Sequence, residues 1–347
     1  MNKFTTLLLD WFYQNKRDLP WRKDKEPYHV WLSEIMLQQT RVEAVKAYYT
    51  RFLNALPDIK SLSECPDDKL LKLWEGLGYY NRVRNLKIAA TTIMQEYDGV
   101  FPNHIEAIKS LKGIGDYTAG AIGSICFDLK TPAVDGNVLR VLSRVWNDDS
   151  NIDLADTKKR YAKELLSLYP EQNCGDFTQS LMELGAIVCI PNGIPKCEQC
   201  PIRSHCLAHQ NNRTHLLPVR SEKKPRKHVD MTVYVFCYTD ENGINHYGVQ
   251  KRTAKGLLSG LYEFPNVENA FSIQEALEYA EIFQVSPKDV IKELKYTHIF
   301  THVEWHMTAY YLSCNDMSEK LTWVTADKME QETPLPTAFR VFWEAIV

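Results

Sequence analysis

Two periodicities divide the chain. Up to about residue 218, apolar side chains recur at helix spacing. Trp31, Leu32, Ile35 and Met36 form one such group, and Leu70, Leu71, Leu73, Trp74 and Leu77 form another, the stripe that an amphipathic helix presents to a core. From Thr232 the pattern changes. Thr232-Val-Tyr-Val-Phe-Cys-Tyr238 is rich in β-branched and aromatic residues and predicts a strand; Asp240-Glu-Asn-Gly243 predicts a turn, and His246-Tyr-Gly-Val-Gln250 the returning strand. Helices are predicted near Ile273 to Phe283 and around Thr337 to Ala345. Between the two regimes, the stretch 219–229 is basic, holds Pro225 and lacks apolar periodicity, so it reads as a solvated linker. The chain shows no internal repeat and no low-complexity tract.

Composition adds little to that outline and charge adds more. With 347 residues and 44% hydrophobic content, there is room for two or three cores. The apolar run near the N-terminus is interrupted by Asp10, which argues against a signal peptide or a membrane span and predicts a soluble, cytoplasmic protein. Nine cysteines, an odd number in a reducing compartment, suggest a metal site plus five buried thiols rather than a disulfide framework. The net charge of −3 hides an asymmetry: residues 1–230 hold 32 Lys/Arg against 28 Asp/Glu, and residues 231–347 hold 9 against 16. The N-terminal part is therefore the candidate for touching phosphates.

Candidate chemistry is concentrated in that part. Cys189, Cys197, Cys200 and Cys206 are separated by seven, two and five residues, with Pro191, Gly193, Pro195 and Pro201 bending the chain between them. Thiolates so spaced can share one centre, zinc or an iron-sulfur cluster. Gly113 and Gly115 flank one apolar residue at the start of a predicted helix, where free backbone N–H groups and the helix N-terminus can cradle a phosphate or simply form a turn. Asp135 stands beside Gly136 at the mouth of another helix, a position that also suits an N-cap.

Taken in order, the hairpin, the aspartate and the four-cysteine loop resemble the helix-hairpin-helix DNA glycosylase superfamily of endonuclease III type, in which a Cys-x6-Cys-x2-Cys-x5-Cys loop carries a [4Fe-4S] cluster; the first gap here is seven residues, one longer than that pattern. Leu19-Pro-Trp-Arg22, Trp31-Leu-Ser-Glu34-Ile-Met-Leu-Gln-Gln-Thr40 and Trp74-Glu-Gly-Leu-Gly-Tyr-Tyr80 are similar to the adenine DNA glycosylase family within it. The likeness covers nearly the whole chain. It implies an all-α glycosylase module over 1–218, with a six-helix barrel at about 25–130 and an iron-sulfur subdomain of 1–24 plus 131–218. A NUDIX-like α+β domain over 230–347, marked by Gly256-Leu-Leu-Ser-Gly-Leu-Tyr-Glu-Phe-Pro265, completes the expected architecture.

The resemblance also implies a reaction: removal of adenine opposite 8-oxoguanine or guanine in double-stranded DNA, by a monomer. Glu34, set among apolar neighbours that favour its neutral form, is suited to protonate adenine. Asp135 is implied to support the cationic sugar, with Tyr117 and Asn137 assisting. Bifunctional lyases of the superfamily have a Schiff-base lysine where Tyr117 stands, and a tyrosine cannot form that imine, so strand cleavage is not expected. The implied DNA- and base-binding set is Arg22, Gln39, Thr40, Leu77, Tyr79, Gly113, Gly115, Gln179, Phe300, Thr301 and His302, with Gln39 and Tyr79 as wedges and Phe300-Thr301-His302 as the loop that touches 8-oxoguanine. Thr301 departs from the family's serine. The stretch Ser272-Ile-Gln-Glu-Ala-Leu-Glu-Tyr279 lacks the acidic helix of a working pyrophosphohydrolase, which predicts recognition without hydrolysis. His298, His302 and His306 are evenly spaced, but strand and loop patterning predicts no second metal site from them.

Overall fold

The computed structural model describes residues 2–222, 224–252 and 256–346. Its helices are, in chain order, α1 (Lys3–Asn15), α2 (Pro27–Leu37), α3 (Val42–Ala55), α4 (Ile59–Glu64), α5 (Asp67–Leu73), α6 (Asn81–Glu96), α7 (Ile105–Ser110), α8 (Asp116–Phe127), α9 (Gly136–Trp146), α10 (Ala155–Leu165), α11 (Cys174–Ile187), α12 (Leu207–Gln210), α13 (Ile273–Ala280), α14 (Ala326–Gln331) and α15 (Thr337–Glu344). The chain divides into two compact units: Met1–Glu64 with Arg84–Glu222, and Cys65–Val83 with Lys223–Val347.

The first unit is helical. Helix α2 starts on Pro27, whose missing N–H costs nothing at the first helical position, and buries Tyr28 and every residue from Val30 to Met36. A helix sheathed on nearly all sides is central, so the one carboxyl it carries there, Glu34, is stripped of water. A second core joins α1, α9, α10 and α11 through Leu8, Val138, Leu142, Tyr161, Phe177 and Leu184. Between α7 and α8 lies the predicted glycine turn: Gly113 has φ 83°, a left-handed conformation that a side chain resists, and Gly115 is the N-cap of α8. Two of the five cysteines outside the four-cysteine loop, Cys126 and Cys237, are only half-buried, a correction to the expectation of five buried thiols.

In the second unit seven strands make one mixed sheet: β1 (Lys227–Thr239), β2 (Asn245–Lys251), β3 (Tyr262–Glu263), β4 (Asn266–Val267), β5 (Pro287–Ile299), β6 (Val303–Cys314) and β7 (Thr322–Thr325). Its main path runs β3-β2-β1-β6-β5, with β4 on β1 and β7 on β2. The β1–β6 pair is parallel and the remaining pairs are antiparallel. Alternate side chains leave opposite faces of a strand, and both faces here are covered. Val233, Val235, Met307 and Ala309 pack under Phe339, Phe342 and Trp343 of α15, while Tyr234, Phe236, Tyr310 and Leu312 pack against Ala276 and Ala280 of α13.

Residues 65–83 share this second unit. Lys72 Nζ donates to the carbonyls of Met329 and Thr333 at 3.1 Å each, Lys251 pairs with Asp68 at 2.6 Å, and Arg340 reaches Glu75 at 3.4 Å. The predicted helix through Leu77 stops at Leu73; Trp74 is its C-cap and Leu77 lies in the following turn, buried.

Two corrections concern the linker. Its last three residues, Lys227, His228 and Val229, are already strand. Its first three are pinned to the helical unit: Val219 O accepts from Ile152 N at 3.0 Å, Arg220 stands 3.8 Å from Asp153, and Ser221 N donates to Asp153 Oδ2 at 3.0 Å. Lys223 lies outside the described residues.

Candidate active site

The first unit holds a cavity of about 550 Å³ lined by residues from the Arg17–Arg22 loop, α2, α8, α9 and α11, within the usual size range of ligand sites, about 300–1,000 Å³. Its walls bring together Arg22, Glu34, Gln39, Thr40, Tyr117, Asp135, Asn137 and Gln179, from five separate stretches of sequence. Gly113 and Gly115 are exposed on the turn ahead of Tyr117 and outside this wall. Leu77, Tyr79, Phe300, Thr301 and His302 belong to the second unit.

Glu34 is 7% exposed. Burial pushes its carboxyl up to about 7, an effect that the nearby Asp135 reinforces and that the Tyr117 hydroxyl, donating to Glu34 Oε2 at 2.5 Å, and Arg22 oppose. Burial, and then the facing carboxylates, hold the Tyr117 phenol far above its ordinary value, so it remains a donor. Asp135 is raised by burial as well, against the opposing bonds from α9: Val138 N donates to Oδ1 at 2.7 Å and Asn137 Nδ2 to Oδ2 at 2.8 Å. Asp135 is thus both the N-cap of α9 and a wall of the cavity. Two carboxyls in one cavity cannot both ionise freely. Burial raises both, but the helix N-terminus and two donors favour the anion at Asp135, so of the two Glu34 is the better placed to hold the proton.

Asn137 is held in turn. Its Oδ1 accepts from Arg140 Nη2 at 2.9 Å, and the same guanidinium donates to Gly185 O at 2.9 Å and, through Nε, to Cys189 O at 2.8 Å. Helix α11 comes close enough for this because Gly185 has no side chain; a Cβ there would stand 2.6 Å from Asn137 Cβ.

Arg22 lines the cavity with its guanidinium already engaged: Nη2 donates to Glu183 Oε2 at 2.8 Å and Nη1 to Arg17 O at 3.2 Å. Arg17 binds the same carboxylate with Nε at 2.7 Å and Nη2 at 2.9 Å. Sequence reasoning missed Glu183 and Arg17, although a glutamate beside Leu181, Met182 and Leu184 in an apolar stripe is a signal of a buried, paired charge. Burial opposes ionisation of Glu183, but the Arg17 and Arg22 hydrogen bonds outweigh it and hold the carboxyl at about 2. A depressed value stabilises the fold above the ordinary 4.5 and loses that contribution as pH falls toward 2. Glu183→Gln is expected to cost about 3 kcal/mol at pH 7, since it leaves two guanidinium groups without their anion. It should cost progressively less from pH 4.5 downward, read from urea unfolding midpoints at pH 7 and pH 3.5.

Cys189, Cys197, Cys200 and Cys206 surround a cavity walled also by Val141, Arg144, Val188 and Ile202, and none of the four is in a disulfide. They do not form a group of ligand atoms lying within 4.8 Å of one another. A single tetrahedral ion with thiolate ligands needs about 3.8 Å between sulfurs, whereas a cluster that gives one iron to each cysteine accepts wider spacing. The donor set and its apolar wall therefore suit a cluster. Arg144 Nη1 donates to Cys189 Sγ at 3.2 Å.

In the second unit Tyr79, 48% exposed, is held at φ 48° and its hydroxyl meets Thr301 Oγ1 at 2.6 Å. Gln39, in the first unit, likewise has φ 58°. Non-glycine residues in this left-handed region are strained and cluster at functional positions. Helix α13 opens with a capping box in which the Glu275 carboxylate accepts from Ser272 N at 2.8 Å and Ser272 Oγ at 2.7 Å. Of the evenly spaced histidines, His298 packs on Phe300 at 4.5 Å between ring centroids and His302 is exposed.

Comparison with known proteins agrees with this geometry. Residues 32–171 match the model of the HhH-GPD superfamily of base excision DNA repair proteins, and residues 234–345 match the NUDIX domain. The solved structure of a thermostable thymine-DNA glycosylase is 30% identical, with a TM-score of 0.55, over 60% of this chain and 95% of its own. An endonuclease III–DNA complex, 20% identical with a TM-score of 0.51 over 61% of this chain and 98% of its own, shares the fold. These matches define a helix-hairpin-helix base-excision repair protein with a NUDIX-like C-terminal domain. Among curated relatives, the adenine DNA glycosylase of Buchnera aphidicola (subspecies Baizongia pistaciae) is 35% identical over 88% of this chain and 84% of its own length. That of Homo sapiens is 32% identical over 98% and 74%. The chain belongs to the adenine DNA glycosylase family and is an enzyme of DNA repair that hydrolyses the N-glycosyl bond of adenine.

Proposed function

We propose that the adenine removed is the one mispaired with 8-oxoguanine, or with guanine, in double-stranded DNA, and that removal is a monofunctional hydrolysis. The observation that carries this reading is the pair of differently placed carboxyls in one cavity with a phenol, not an amine, bonded to one of them. Adenine inside a duplex is out of reach, so it must swing out of the stack into the cavity. The neutral Glu34 donates its proton to a ring nitrogen of the departing base, which lowers the barrier to breaking the C–N bond. Asp135, anionic at the N-terminus of α9, stabilises the positive charge that develops on the sugar carbon; water then adds to that carbon and its proton passes to the Glu34 carboxylate, which restores the acid. Tyr117 keeps the Glu34 carboxyl oriented, Asn137 keeps Asp135 in place, and Gln179 faces the cavity where the base would sit. The resemblance to a two-carboxylate glycoside hydrolase is one of division of labour.

In this reading Gln39 and Tyr79 are the wedges that enter the duplex, and Thr40 and Leu77 contact DNA. Gly113 and Gly115 present backbone N–H groups to a phosphate, and Phe300, Thr301 and His302 read the 8-oxoguanine. The bond between Tyr79 and Thr301 supports a shared role for those two. The four cysteines would hold a [4Fe-4S] cluster that braces the loop of residues 189–206. The enzyme acts as a monomer in the cytoplasm, its module of residues 1–218 doing the chemistry and residues 230–347 the recognition; no helix among the described residues is long and apolar enough to cross a membrane.

The test is single-turnover release of adenine from a duplex with one A:8-oxoguanine pair, followed by borohydride treatment. Fast release with no enzyme–DNA adduct is expected, because Tyr117 cannot form an imine. A trapped adduct, or no release from enzyme with its full iron content, refutes the reading.

A further inference from the structure

The parallel pairing of β1 and β6 sets His228 opposite Glu304 and Asp230 opposite His306. Val229 and Trp305 point into the core on one face; by the alternation of a strand, His228, Glu304 and His306 share the other. There three ligand atoms converge. His228 Nδ1 is 3.1 Å from His306 Nε2, the Glu304 Oε1 is 3.5 Å from His306 Nε2, and it is 4.0 Å from His228 Nδ1. The two imidazole rings meet edge to edge, 14° from parallel with centroids 5.4 Å apart. Of the described residues these three make a group whose ligand atoms all lie within 4.8 Å of one another.

The spacing has a direct chemical meaning. A zinc-class cation with tetrahedral ligands at about 2.0–2.1 Å needs neighbouring ligand atoms about 3.3 Å apart, and the observed 3.1, 3.5 and 4.0 Å bracket that value. His306 is also oriented from behind. Its Nδ1 is 3.3 Å from Thr297 Oγ1 on β5, so an N–H donated there leaves the Nε2 lone pair aimed at His228 and Glu304, the outer-shell arrangement that metal-binding histidines use.

We propose that His228, Glu304 and His306 bind one divalent transition cation of the zinc class through Nδ1, a carboxylate oxygen and Nε2, with water in the fourth position. The site would clamp the first residues of β1, where the linker enters the sheet, to β6. It lies at the foot of the turn 300–302, which the start of β1 and the residue before it already contact: Lys227 N donates to His302 O at 3.0 Å and Arg226 Nε to Phe300 O at 3.1 Å. His228 is 76 residues from Glu304 in sequence, and the strand register brings it to the Glu304–His306 pair.

The full chain, freed of loosely held metal by a chelator and checked for unchanged iron, is titrated with zinc chloride beside His228→Ala and Glu304→Gln. His228 is largely exposed, so its replacement leaves the fold intact, verified by circular dichroism. The wild type should take up one zinc per chain in excess of both variants, with affinity lowered at least tenfold in each and iron content equal in all three. Equal zinc uptake and affinity in the three proteins, or no zinc uptake by the wild type, overturns the proposal.

Discussion

Glu34→Gln should slow single-turnover adenine release by a factor of about 10²–10⁴, the usual worth of a positioned general acid, while leaving affinity for the mispaired duplex nearly unchanged. The amide can still accept the Tyr117 hydroxyl bond that Glu34 Oε2 now accepts, so geometry survives and only the transferable proton is lost. The pH profile separates this from a structural effect. With its carboxyl at about 7, the wild type holds the acid form below pH 7 and loses it above, so release should fall about tenfold per unit beyond pH 7. In the Gln variant that descending limb should be absent. Stability moves the opposite way. The raised carboxyl makes the folded wild type less stable as pH climbs from its ordinary 4.5 through about 7, and the neutral amide suffers no such loss, so the variant should unfold at a higher denaturant midpoint at pH 8. A wild-type profile flat from pH 6 to 9 would remove Glu34 from the role of acid.

Asp135→Asn should slow release by about 10³ or more, the scale on which an electrostatic stabiliser aimed at a developing charge contributes. The variant can keep the N-cap, since an amide oxygen accepts from Val138 N as Asp135 Oδ1 does at 2.7 Å. Its other half is less comfortable: the new NH2 group faces Asn137 Nδ2, which donates to Asp135 Oδ2 at 2.8 Å, and Asn137 cannot simply turn over because its Oδ1 is bound by Arg140. A stability loss of about 1 kcal/mol is expected from the opposed donors. Unlike Glu34→Gln, this variant should retain the fall in rate above pH 7, because its acid is intact. Iron content and circular dichroism close to wild type, with release reduced, would separate loss of the anion from loss of the fold. Release within tenfold of wild type would mean that the sugar's charge is supported elsewhere.

Local signals in the sequence were enough for much of this molecule. The change from helical to strand periodicity near residue 230, the glycine turn before α8, the four-cysteine spacing and the apolar surroundings of Glu34 are each written within one turn or one loop of chain, and short-range sterics and burial decide such features. The N-cap reading of Asp135 and its place in the cavity proved to be the same fact, since a side chain that caps a helix at a cavity wall does both. What only the tertiary structure decided depends on packing between distant segments. It gave Arg22 a fixed partner in Glu183 and joined Asn137 to Cys189 through Arg140. It drew residues 65–83 into the C-terminal unit and ended α5 before Leu77. It also assembled His228 with Glu304 and His306 through strand register. No window of sequence contains both members of any of these pairs, and a long-range contact is selected by the whole fold rather than by the propensity of its residues.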